Sequence, residues 1–106
     1  MADLLYQSVL EKFTGEQFNE AFNFDGVIPE NTTVTTASVL VTKADGTDAT
    51  ATVFKAKSIS STTVTVTLYT GTTEASYIVQ VTVAASDTTP QRMVKLLNVT
   101  AAGVYR

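Results

Sequence analysis

The sequence predicts an all-β fold, a single antiparallel β-sandwich of about seven strands preceded by an N-terminal arm or short helix. Three observations carry that expectation. From Thr32 onward apolar residues alternate with threonines at a period of two. Glycine, proline and Asp–Gly signals divide the chain into short runs at the spacing sandwiches use. The 106 residues match the size of one domain, and such a chain buries enough surface to fold without disulfides. The expected division is 1–15 for the arm or helix and 16–106 for the sandwich.

The first segment, "ADLLYQSVLEKF", has two readings. A helix puts Leu5, Val9 and Phe13 on one face, with Gly15 as its stop. An extended arm puts Leu5, Gln7, Val9, Glu11 and Phe13 on one side. In both, Leu4, Leu5, Tyr6, Val9 and Leu10 form an apolar patch near a terminus. Termini stay loose unless something ties them down, so these five residues are the candidate interface.

In "GEQFNEAFNFDGVIPEN" the period of two aligns Phe18, Phe22 and Phe24, which predicts a strand. Asp25–Gly26 and Pro29–Asn31 punctuate a loop. The Asp45–Gly46 pair predicts a hairpin between "ASVLVT" and "ATVFKA". A second hairpin is expected from "TTVTVTLY" to "SYIVQVTV", turning at "TGTTEA". Its inward faces are Val64, Val66 and Leu68, then Tyr77, Val79, Val81 and Val83. Threonine suits the outward face, because its branched stem favours extended backbone and its hydroxyl meets water. The last strand, "QRMVKLLNVT", leaves open whether Val94 and Leu96 or Leu97 and Val99 point inward, by a bulge or by cover on both sides.

The chemistry is sparse. With no histidine, cysteine or tryptophan, the chain lacks the usual general base, the thiolate ligands and the serine–histidine arrangements. Glu11, Glu16, Glu20, Asp25 and Glu30 are the candidates for paired carboxylate work, and the expected role is solvated surface charge. Asp45 and Asp48 read as turn residues, since the spacing of a calcium loop is missing. Tyr69, Tyr77 and Tyr105 are too dispersed for a sugar platform, and the parity of Tyr77 makes it a core or corner tyrosine. Asn31–Thr32–Thr33 and Asn98–Val99–Thr100 match glycosylation acceptors by chance in a threonine-rich chain. No glycine loop is followed by the lysine and helix that cradle phosphate. The expectation is therefore no enzyme, no cofactor and no metal. A net charge of −3 with scattered basic residues argues against nucleic acid. No apolar run is long enough to span a bilayer as a helix. "MADLLYQSVLEKF" has the acidic flank of a chain made in a cytoplasm rather than that of a secretory signal.

Taken in order, two blocks resemble a known family. "EKFTGEQFNEAFNFDGVIPENTTVTTASVLV" resembles the opening of small immunoglobulin-like virion structural proteins of tailed bacteriophages. "VTVTLYTGTTEASYIVQVTVAASDTTPQRMVKLLNV" resembles their ending, with Gly71, Thr72, Tyr77, Val79 and Val81 at matching places. The resemblance covers about Glu11 to Val99. It implies an immunoglobulin-like sandwich and a structural part of a virion, made in a bacterial host. Its partners would be other capsid or neck proteins and copies of itself, as a homo-oligomer. Capsid decoration or cement is the first expectation, and a neck (head–tail joining) position is the second. The alternative class is a receptor- or glycan-binding module of a phage tail or bacterial surface.

Overall fold

A computed structural model describes residues 9–28, 32–71, 74–85 and 90–100. Among them the strands are β1 (Val9–Phe13), β2 (Gln17–Asn23), β3 (Val34–Lys43), β4 (Phe54–Ser60), β5 (Thr63–Tyr69), β6 (Ala75–Ala85) and β7 (Gln91–Thr100). One helical turn, α1 (Thr50–Val53), precedes β4. A four-stranded sheet has the order β1-β7-β6-β3, and a three-stranded sheet has the order β2-β5-β4. The two sheets pack face to face in a sandwich-like arrangement. All strand pairs are antiparallel except β1 with β7, which run parallel with Val9 opposite Leu96 and Phe13 opposite Thr100.

The core lies where the alternation puts it. Val64, Val66 and Leu68 of β5 meet Tyr77, Val79, Val81 and Val83 of β6, with Phe22 and Phe24 filling one end. Threonines 63, 65 and 67 occupy the opposite face of β5, and β2 completes that polar face with Asn19 and Asn23. Thr67 donates to Asn19 Oδ1 at 2.6 Å across this wet surface. Tyr77 is buried in the core. The last strand resolves as well: Leu97 and Val99 point inward with Met93 and Lys95, while Val94 and Leu96 point outward. Its register with β6 runs unbroken, and Val94 is buried on the outer side, so this strand is covered on both sides there.

Two expected hairpins do not form. β3 pairs with β6, and β4 pairs with β5, so the Asp45–Gly46 turn does not join two paired strands. It is a tight local turn, with Gly46 at φ 93° and Gly46 N–H donating to Lys43 C=O. The chain then crosses to the other sheet through α1. Likewise β5 and β6 lie in different sheets, and the segment between them is a crossing rather than a hairpin turn. The hairpins that do form are β4–β5, turning at Ser61–Thr62, and β6–β7. Local alternation fixes the face of each residue, but it is the same for a strand that folds back and one that crosses the sandwich.

The first segment divides. Val9–Phe13 is extended and hydrogen-bonded into the four-stranded sheet, so the helical alternative fails over those residues. Leu4, Leu5 and Tyr6 of the candidate interface lie outside the described residues.

Candidate functional site

The chemistry-bearing side chains are spread over several places, and among the described residues the candidate carboxylates Glu11, Glu16, Glu20 and Asp25 stand in different surroundings, Glu11 sharing a depression with Glu74. The first is the seam where β2 of one sheet meets β1 and β7 of the other. Lys95 is the one buried charged residue among the described residues. Its Nζ donates to Glu20 Oε2 at 2.6 Å and to the Ala21 carbonyl at 2.7 Å. The same ammonium sits 4.5 Å from the centre of the Phe22 ring, and Lys12 of β1 sits 4.5 Å from that of Phe18. Cations over aromatic faces gain most where water is excluded. Glu20 is thus an inward-facing partner in a bond between the sheets, which corrects its expected role as solvated surface charge. The bond to Ala21 also occupies a backbone acceptor on β2, an edge strand, and inward-pointing charge is one way proteins blunt such edges.

The second place is the corner between β1 and β2. Thr70 is fully buried, yet its hydroxyl accepts from Glu16 N–H at 2.9 Å and donates to Phe13 C=O at 2.7 Å. Glu16 Oε2 accepts from Phe13 N–H at 2.7 Å, and Gly15 N–H donates to Gly71 C=O at 2.8 Å. Glu16 therefore works as a structural acceptor that holds the chain while it changes sheets. Gly71, at φ 81°, takes a backbone conformation that L side chains adopt at a cost.

The third is a shallow depression of about 440 Å³ lined by Glu11, Glu74, Ala75, Ser76, Asn98, Val99 and Thr100. Ser76 Oγ donates to Asn98 Oδ1 at 2.8 Å within it. Its floor is strand surface rather than an enclosed pocket.

Asp45 and Asp48 act in turns. Asp45 Oδ1 accepts from Thr47 N–H and Asp48 Oδ1 from Thr50 N–H, each at 2.9 Å. Hydrogen bonds from Thr47 and Thr50 hold the two carboxyls below the ordinary aspartate range. Thr50 in turn closes part of the β3 edge: its hydroxyl accepts from Val41 N–H at 2.9 Å and donates to Val41 C=O at 3.3 Å. Asp25 is exposed in the β2–β3 loop, and Glu30 lies outside the described residues. Among the described residues no group of three or more acidic side chains is placed to hold a metal ion, and no helix is long and apolar enough to cross a membrane.

Of the candidate interface residues, Val9 and Leu10 part company. Leu10 packs against the core beside Leu97, whereas Val9 points outward and is 49% exposed. Val9 does not stand alone there. Leu96 and Ile78 follow it across the sheet, and Leu40, 43% exposed, lies on the next row. The sequence carries a signal for two of these residues: Leu40 and Ile78 interrupt the threonine, serine and glutamine pattern at positions of outward parity. The two outer faces therefore differ: polar on the three-stranded sheet, striped with apolar side chains on the four-stranded one.

No family model matches the chain, and no curated protein is significantly similar to it.

Proposed function

We propose that this chain is a non-enzymatic structural module of a tailed-phage virion, an immunoglobulin-like sandwich serving in capsid decoration or cement, with a neck position as the second placement. The reading draws on the sequence resemblance and on one structural observation, the contrast between the outer faces. A wet face of threonine and asparagine set against an apolar stripe is what a module needs when one side meets solvent and the other meets an assembly. The strand order adds support for the immunoglobulin-like reading. With the seven strands lettered A to G in chain order, B-E-D faces G-F-C, and the first strand joins the edge of the latter beside G. The inter-sheet ion pair and the buried Thr70 corner spend the chain's polar chemistry on rigidity.

The test is purification of phage particles from a host carrying the gene, followed by quantitative protein analysis. A stoichiometric copy number in washed particles supports the reading. Absence from particles, together with binding of the isolated protein to bacterial cells or a glycan array, would establish the adhesin alternative instead.

A further inference from the structure

We infer that the outer face of the four-stranded sheet is a self-association surface, and that its occupant is a second copy of this chain related by a two-fold axis. The register defines the surface row by row. Val9 lies opposite Leu96, Leu96 opposite Ile78, and Ile78 opposite Thr42. One row away, Val94 lies opposite Gln80 and Gln80 opposite Leu40. The alternate residues on the same strands, Leu10, Leu97, Val79 and Val41, are on the core side, so both rows face outward. With strands spaced about 4.8 Å apart and rows about 6.6 Å apart, Val9, Leu96, Ile78 and Leu40 make an apolar band that reaches all four strands, while Val94 is buried within the chain.

The band is framed by rows that are polar and differ in charge. Beyond Val9 come Glu11, Asn98 and Ser76; beyond Val94 come Arg92, Thr82 and Ser38. Both Glu11 and Arg92 are exposed, and Arg92 Nη1 donates to Gln80 Oε1 at 3.2 Å along the face. A two-fold axis lying in the interface, across the strands and between these two rows, exchanges them. It carries Leu40 into the row of the partner's Ile78, one strand spacing to the side. It also carries Glu11 into the row of the partner's Arg92, one strand spacing to the side, and the same contact occurs twice. The asymmetry that places acid on one flank and base on the other is self-complementary under this operation, whereas a two-fold axis along the strands would set acid against acid. Rotation about the sheet normal cannot bring two such faces together. An isologous contact of this kind closes as a dimer.

This inference rests on the reading of the chain as an assembly module, but its test uses the purified full-length protein, with no particle present. Sedimentation equilibrium at about 100 μM protein is expected to show a reversible dimer. Glu11→Arg and Arg92→Glu should each weaken it about tenfold, and the double reversal should recover most of the loss. Leu96→Glu should abolish it; if that variant does not fold by circular dichroism, Leu40→Glu, at a half-exposed position, takes its place. A monomer at 100 μM, a dimer indifferent to Leu40→Glu, or a double reversal no better than the singles would each overturn the interface. A monomer that still enters virions would leave the virion reading intact and assign the stripe to a protein of different sequence.

Discussion

Replacing Glu20 with alanine should be more damaging than replacing its partner Lys95 with methionine. Lys95 is buried, and its ammonium has three neighbours: Glu20 Oε2, the Ala21 carbonyl and the Phe22 ring. Glu20→Ala removes the one full negative charge and leaves a buried cation with a carbonyl and a ring. Breaking a buried ion pair from one side costs about 3 to 5 kcal/mol. The Glu20 side chain is 22% exposed and the Ala21 bond survives, so the expected loss is about 2 to 3 kcal/mol. Lys95→Met keeps a stem of similar shape against Phe22, and water can reach the carboxylate it leaves behind. Its expected cost is about 1 kcal/mol or less. In a domain of this size 1 kcal/mol moves the melting temperature by roughly 4 to 8 °C, so Glu20→Ala should melt about 8 to 24 °C lower. Urea titration and thermal melts of both single variants and the double variant give the comparison. The double should resemble Lys95→Met, because removing the cation removes the penalty. If Lys95→Met proves the worse variant, or if the two losses simply add, the lysine is not held as a paired buried charge.

Val66→Asp should prevent folding while Thr65→Asp remains mild, since Val66 is fully buried and an unpaired carboxylate there costs several kcal/mol; circular dichroism with thermal melts would show equal damage if the face assignment were wrong. Thr70→Val keeps the shape but removes the acceptor of Glu16 N–H and a donor to the Phe13 carbonyl, for an expected loss of about 1 to 3 kcal/mol in urea midpoints, with faster amide exchange at Glu16. Asp48 has its folded pKa held below its unfolded value, so its contribution to stability is present above the ordinary aspartate range and lost as the pH falls through the lower, folded value. Asp48→Asn should flatten the acid limb of the stability curve, read from urea midpoints across pH 2 to 5, and an unchanged limb would count against the turn role.

The faces of the strands were legible because alternation is a local property. Each of Val64, Val66, Leu68, Val79 and Val81 reports its side through its two neighbours, and all five are buried. Pairing was not legible, because β5 reads identically whether it returns beside β6 or crosses the sandwich. The buried hydroxyl of Thr70 ties the crossing to the β1–β2 corner, and one more threonine in this chain gives no warning of it. Lys95 was hidden for a related reason. Its parity is that of Leu97 and Val99, but a lysine among apolar residues declares itself buried only once Glu20, far away in sequence, is set beside it. Of the candidate interface residues, Val9 lies on the apolar stripe of the outer face, whereas Leu10 packs against the core. The continuation of that stripe through Leu96, Ile78 and Leu40 needed the register of four strands.

The parallel pairing of β1 with β7 has a consequence for the order of events during synthesis. Val9 meets Leu96 across a separation of about 90 residues, and closing a loop that long costs roughly 4 kcal/mol of chain entropy plus a constant. Five residues of parallel ladder must offset that cost, so β1 gains its partner only when the rest of its sheet is in place. A ribosome releases Val9 long before Leu96, and the nascent chain therefore carries Val9–Phe13 without the strand it pairs with. Until β1 docks, the flank of β7 stands open, and β1 of a neighbouring nascent chain fits it equally well, the standard route to a domain-swapped pair. Native-state hydrogen exchange should register the same hierarchy, with amides of β1 opening ahead of those in the middle of β6.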